Sequence, residues 1–362
     1  MRIAPLTGLR GIAAIAVLLY HIPHSPAFSA FHLSLFSRAY LAVDLFFVLS
    51  GFVISIGYYE RVVKHPGWSS YGDFLLNRMA RVWPLHFIVA LVFLVRILVN
   101  VSGDQPVALT SANLFTNFFM IESWGWGTQA LAGNSWSVST ELLAYLAYPL
   151  VAVIAFSRAA WGQAVAALIL LILVATYGHG AQGPLDVNDG DSILPVLRCL
   201  AGFSLGVIAY RLVRLPWCER LLGGEHGFIG SCMLIVVALL IPRGDVLVAL
   251  TFVPLVIACY YNGQTARTLL ANPIVFHLGL ISYSIYLWHP LVRDVFARTM
   301  GIAHRHGVVG FDWAFVGALL IATWLICWAS YLLIEVPGHR AIKKLERRVV
   351  PRPQLPFQQA AE

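Results

Sequence analysis

Apolar runs about as long as a bilayer-crossing helix recur along the chain, separated by short stretches rich in Gly, Pro and charge. About 20 apolar residues at 1.5 Å each cross the hydrocarbon core, so each run predicts a transmembrane helix. By hydrophobic length and loop punctuation ten spans are expected, near residues 8–23, 40–58, 84–101, 137–156, 163–178, 193–211, 227–242, 246–261, 273–292 and 311–335. The fourth is the least sharply bounded, because residues 113–120 offer a shorter apolar stretch just before it. The expected fold class is an all-α integral membrane protein, a bundle of about ten helices.

Composition agrees with the pattern. Of 362 residues 59% are hydrophobic and 11% charged, with a mean hydropathy of +0.77, whereas soluble domains carry about 25% charged residues. The five cysteines, Cys199, Cys218, Cys232, Cys259 and Cys327, are scattered and sit mostly within or beside apolar runs. That arrangement is neither a disulfide framework nor a zinc spacing, and it reads as packing. The net charge of +7 is spread over loop ends and the tail, which fits membrane topology and anionic lipid rather than nucleic acid.

Lys and Arg set the orientation. With a cytoplasmic N-terminus the inside segments collect Arg2, Arg61, Lys64, Arg78, Arg81, Arg158, Arg211, Arg214, Arg220, Arg267 and the run from Arg340 to Arg352, while the outside loops hold Arg38, Arg243, Arg298 and Arg305. An even number of spans then puts both termini inside and the acidic loop Asp186 to Asp191 outside. No internal repeat or second domain is visible. Residues 1–340 form one transmembrane unit, and 341–362 a basic, Pro-containing cytoplasmic tail, disordered from Pro351 onward.

The chemistry lies in ionisable groups placed inside these runs, because such groups are costly in a membrane and tend to face a bundle interior or a watery cavity. Arg10 and His21 bracket the apolar run from Gly11 to Tyr20. Eleven helical steps return to nearly the same face and separate the two by roughly 16 Å. A signal peptide, with Ala27 to Ala30 as its cleavage site, is the rival reading, but it would place an arginine needlessly deep. His21 falls near the outer end of the span, where a neutral imidazole can act as a general base; packing against interfacial aromatics is the alternative. Asp44 enters the second span at about the same depth. It either orients that imidazole, as a carboxylate does in triads, or complements a helix dipole. Gly51, farther along that span, would allow close helix approach.

Arg78 and Arg81, three apart at the end of an inner loop, share a helical face. They suit phosphate oxygens, which guanidinium forks bind bidentately, although anchoring at a membrane surface also explains such a pair. Glu141, beyond Ser135-Trp136-Ser137, needs a partner at its depth, and Arg10, His21 or Arg198 are the candidates. Trp124, Trp126 and Trp136 fit an interfacial belt and can also stack on sugar rings. His289, beside Tyr286 and Trp288, either completes an acceptor cavity or ends a helix at Pro290. His24, His304 and His306 read as solvated.

Taken together, Leu6-Thr7-Gly8-Leu9-Arg10 through His21, Asp44 to Phe52, Arg78 to Arg81, Ser135 to Glu141, Ser282 to His289 and Ile334-Glu335-Val336-Pro337 resemble the acyltransferase 3 family of bacterial membrane-bound O-acyltransferases. The motifs follow in order up to about Arg340. The resemblance implies a ten-helix bundle in the bacterial cytoplasmic (inner) membrane, acting alone without an SGNH-type domain. Such an enzyme takes an acyl group, usually acetyl, from cytoplasmic acyl-CoA and delivers it to a hydroxyl of an extracytoplasmic carbohydrate such as exopolysaccharide or lipopolysaccharide. It also implies that the family's essential Arg and His are Arg10 and His21, and its paired arginines Arg78 and Arg81. One departure is Leu142-Leu143, where the family often has an aromatic after the glutamate, which loosens inference about the acceptor there.

On this reading acyl-CoA (acetyl-CoA) is the donor and no metal is needed. Arg78 and Arg81 hold its phosphates, and Arg10 holds the donor or steadies negative charge. His21 takes the proton from the acceptor hydroxyl, with Asp44 or Glu141 orienting it, and Trp136 and His289 border the acceptor. An acyl-His21 intermediate is an equally open variant. The rival class is a proton-coupled transporter or flippase that uses the same ionisable groups, but inverted repeats with paired broken helices are absent from the sequence.

Overall fold

The computed structural model describes residues 3–22, 36–99, 107–180, 182–188, 190–307 and 312–349; His24 and the proposed cleavage segment at 27–30 lie outside them. Among the described residues the regular structure is helical: α1 (Ala4–His21), α2 (Ala42–Tyr59), α3 (Trp68–Leu98), α4 (Ser111–Phe118), α5 (Trp136–Phe156), α6 (Ala160–Tyr177), α7 (Leu194–Leu212), α8 (Pro216–Leu222), α9 (Glu225–Leu240), α10 (Asp245–Tyr261), α11 (Gln264–Leu270), α12 (Pro273–Leu280), α13 (Ser282–Arg305), α14 (Asp312–Ser330) and α15 (Val336–Val349). Among the described residues seven helices are long and apolar enough to span a membrane, and up to ten spans result when each of three bent pairs counts as one. Those pairs, α8–α9, α10–α11 and α12–α13, turn by 73°, 98° and 72°. The chain is a multi-pass membrane protein.

The breaks have local causes. Asn262 ends α10 in the left-handed conformation (φ 62°), which Asn tolerates better than most residues. Asn272 caps α12 by accepting a hydrogen bond from the Val275 amide, with Pro273 in the first turn where its missing N–H costs nothing. Residues 113–120 lie on and just past the short α4, capped by Thr110, so the fourth span is α5. Two boundaries differ from the sequence pattern. Pro84, a helix-start signal, lies inside α3, so Arg78 and Arg81 belong to a long continuous helix rather than to a loop. Pro290 lies inside α13, which runs on to Arg305; His289 therefore ends no helix, and His304 sits in the last turn of α13. A π-helical stretch, Tyr331–Glu335, joins α14 to α15, and such stretches are frequent at functional sites.

At the centre α7 runs along α2, flanked by α5 and α6, while α1 packs on α12 and α13. Between helices in lipid the hydrophobic driving force is weak, so close van der Waals packing carries more of the association. Gly51 of α2 and Gly206 of α7 meet this demand: a Cβ on Gly51 would strike the Phe203 carbonyl, and one on Gly206 the Val48 carbonyl. Gly11 and Gly279 do the same for α1 and α12. The cysteines are free thiols, four of them buried, as the packing reading expected. Replacing Gly51 by Leu should destabilise the protein by about 1–3 kcal/mol or more through overpacking, seen as a lower melting temperature in detergent, whereas Gly57→Ala, at a position with open space around it, should leave melting unchanged.

Candidate functional site

Three adjoining cavities run through the bundle. At the end near the N-terminus lies a chamber of about 900 Å³, whose walls include Thr7, Arg10, Tyr58, Arg78, Arg81, Glu335, His339 and Arg340. Arg10, Val53, Arg78 and Arg81 are also walls of a central cavity of about 180 Å³, with Ser50, Ser137, Glu141, Tyr145 and Tyr286. Val43 and Tyr286 in turn separate the central cavity from an outer one of about 350 Å³ lined by Tyr20, His21, Tyr40, Asn134, Trp136, Gln182, Asp186, Asn188, Arg198 and Arg293. Thus α1 presents Arg10 to the first two spaces and His21 to the third.

The guanidinium groups differ in how they are satisfied. Arg81 pairs with the buried Glu335, whose other oxygen accepts a 2.5 Å hydrogen bond from Ser284; the π-helical turn delivers that carboxylate. Arg78 meets Tyr58 through a long hydrogen bond of 3.4 Å and through its ring face, and its buried Nε lacks a hydrogen-bond partner. Among the described residues neither Arg10 nor Arg78 forms an ion pair. Glu141 shares the central cavity with Arg10, so of its three candidate partners the fold places Arg10 beside it.

Asp44 does not serve His21. Both its oxygens are taken by the fully buried Arg198, at 2.9 and 2.7 Å, and Arg198 also donates to the carbonyls of Tyr40 and Val187 and lies over the Trp136 ring. Depth along the helix was legible, but the side on which Asp44 faces α7 was not. Glu141 likewise lies in the central cavity and not in the outer one with His21. The carboxylate that shares the outer cavity is Asp186, which accepts from the Tyr20 hydroxyl at 3.4 Å and the Gln182 amide at 3.2 Å. The acidic character of its loop was the signal for it.

His21 donates through Nδ1 to the Val17 carbonyl at 2.8 Å. A carbonyl only accepts, so Nδ1 carries the hydrogen, and in the neutral ring the basic lone pair is on Nε2. Its ring lies 4.9 Å from that of His289. His289 is wholly buried and is not a wall of the outer cavity, whereas Trp136 is one. Trp124 instead donates to the Ser139 carbonyl, and Trp126 is exposed.

Glu122, which the sequence reading passed over, anchors the loop between α4 and α5 that supplies Asn134. Its Oε1 accepts from Ser135 at 2.8 Å and its carbonyl from Thr128, while Oε2 is buried without a partner. Burial pushes its carboxyl up to about 8, against the opposing pull of its hydrogen bonds.

This fold is a multi-pass membrane bundle with a basic chamber at one end and a pocket lined by His21 at the other. The acyltransferase domain model (Acyl_transf_3) matches residues 3–335, and the chain belongs to that acyltransferase family. It is similar to the acyltransferase MdmB of Streptomyces mycarofaciens, with 28% identity across 96% of this chain and 94% of that protein. It is also similar to the putative peptidoglycan O-acetyltransferase YrhL of Bacillus subtilis strain 168, with 23% identity across 95% of this chain, and to the putative O-acetyltransferase SACOL0978 of Staphylococcus aureus strain COL, with 22% identity across 96%. The chain spans 56% and 59% of the length of these last two. No solved structure matches it.

Two outcomes follow. Asp44→Asn should cost about 3–5 kcal/mol by stranding the Arg198 charge, whereas the paired apolar replacement Asp44→Leu with Arg198→Met should recover much of the loss; thermal melts of purified protein compare them. Because Glu122 binds its proton more tightly in the folded chain, its contribution to stability is complete below the usual glutamate range, near pH 4.5, and is lost as pH rises through about 8. Glu122→Gln, permanently neutral, should remove that part of the alkaline loss in a series of melts from pH 5 to 9.

Proposed function

We propose that this chain transfers an acyl group, most simply acetyl, from acyl-CoA on the cytoplasmic side to a hydroxyl of an extracytoplasmic carbohydrate. The observation that carries the reading is the arrangement of the cavities: a chamber whose guanidinium groups include Arg10 and Arg78, outside any ion pair among the described residues, adjoins the central cavity, which Val43 and Tyr286 separate from a pocket lined by an imidazole of defined tautomer. The excess of Lys and Arg in the segments at the Arg81 end favours that end as cytoplasmic.

The donor's phosphates bind Arg78 and Arg81 at the chamber mouth, where Glu335 presets Arg81, while Arg10 sits deeper and balances negative charge along the pantetheine path. Arg10 and His21 stand about 16 Å apart along α1, so the thioester must pass beyond Arg10 before it reacts. His21 Nε2 takes the acceptor's hydroxyl proton as the oxygen attacks the thioester carbonyl. The carbon–sulfur bond then breaks and the proton passes to the departing thiolate, leaving an ester and free CoA. Trp136 and the polar side chains around it suit a sugar, since an aromatic face beside amides and a carboxylate recognises a polyol. The relatives' names point the same way, YrhL's to peptidoglycan and MdmB's to acyl transfer in general.

Isolated membranes of the producing cell supply the acceptor. Incubated with [14C]acetyl-CoA, they should incorporate label into a carbohydrate fraction. His21→Ala should lower that incorporation by about 100-fold or more, with acetyl-CoA binding to the purified protein intact. Arg78→Ala with Arg81→Ala should weaken acetyl-CoA binding by at least about tenfold through lost charge-assisted bonds. Label that crosses the membrane without becoming covalently attached would identify a carrier and overturn the reading.

A further inference from the structure

Two basic side chains of the chamber have no part in the transfer described so far. His339 and Arg340 of α15 are walls of the chamber but not of the central cavity, whereas Arg10, Arg78 and Arg81 are walls of both. Arg340 is exposed, and among the described residues its guanidinium makes no ion pair or hydrogen bond. The start of α15 is fixed twice against α3. Glu335, immediately before it, pairs with Arg81, and a Cβ on Gly338 would strike Pro84. Pro84 comes three residues after Arg81, so the two share a helical face, and α15 packs on α3 beside the arginine pair. Lys343, Arg81 and Arg78 are accordingly charged neighbours of His339.

Coenzyme A carries phosphate in two places: a pyrophosphate that continues into the pantetheine arm, and a monoester on the ribose 3′ oxygen, at the end of the molecule away from the thiol. With the thioester directed past Arg10 toward the central cavity, the pyrophosphate comes to Arg78 and Arg81, and the 3′-phosphate lies farther out. The arginine pair is a poor match for both, because Glu335 already offsets Arg81 and a phosphate monoester brings about two negative charges at pH 7. We infer that Arg340, with His339 beside it, binds the ribose 3′-phosphate of the donor, and that the chain thereby selects CoA over 3′-dephospho-CoA. The inference rests on the reading of this chamber as the donor site. A guanidinium fork meets the terminal oxygens of a monoester bidentately, and the imidazole adds an N–H donor. The outward position of Arg340 leaves the contact open to screening by salt.

The test is isothermal titration of the purified full chain with CoA and with 3′-dephospho-CoA. The wild type should bind CoA about tenfold or more tightly, the value of charge-assisted hydrogen bonds at a solvent-open site. Arg340→Gln should remove most of that preference, and Arg340→Gln with His339→Gln should bring it within about twofold, the Kd for 3′-dephospho-CoA moving by less than about twofold in either variant. Arg158→Gln removes an exposed charge from the turn between α5 and α6, outside the chamber, and should leave the preference intact. Equal binding of the two ligands by the wild type, a preference that survives in both Arg340 variants, or parallel weakening of both ligands, the mark of a general surface charge, would overturn the inference. Failure of the wild type to bind either ligand would instead overturn the donor reading of the chamber, and the inference with it.

Discussion

A charge inside a membrane-embedded bundle has to be either paired or wetted, and this single requirement organises the molecule. Where the pair is complete, the charges act as framework. Arg198 and Asp44 join α7 to α2 at the core of the bundle, with the guanidinium's remaining donors spent on two carbonyls and its face on Trp136. Arg81 and Glu335 join α3 to the π-helical turn, and Ser284 draws α13 into the same knot. Breaking one member of such a pair strands the other in low dielectric, which is why these contacts are costly to disturb.

Where ion pairing is incomplete among the described residues, at Arg10 and Arg78, the side chains open onto the central and lower spaces. His21 lines the third space. The framework pairs hold the walls of these spaces, so the two classes of charge depend on each other: Glu335 sets Arg81 at the mouth, and Arg198 backs Trp136 beside His21. Glycines supply the complementary condition. Gly51 and Gly206 let α2 and α7, the two helices that the Arg198–Asp44 pair joins, approach closely.

Several features were legible in one dimension. Hydrophobic length announced ten spans, and α1, α2, α5, α6, α7 and α10 lie close to their expected limits. The depth of Arg10, His21 and Asp44 followed from helical rise alone. Proline signals misled twice, at Pro84 and Pro290, because packed neighbours let a helix continue through a residue that ends helices in isolation. Glu122 escaped notice because an acidic residue in a polar loop is usually solvated, and burial under the loop is a property of the fold.

The sequence by itself determined that the chain crosses a membrane many times, that Arg10 and His21 share a helix face half a bilayer apart, and that a family of acyltransferases carries the same ordered motifs. Those are properties of single segments, and helix geometry or composition is enough to read them. Which charges meet was decided by the tertiary structure alone. Asp44 turned to Arg198, Glu141 to the cavity of Arg10, and His289 to His21, because the azimuth of each helix is set by small-residue contacts with neighbours distant in sequence. Period and length report how deep a side chain lies; only packing reports what it faces.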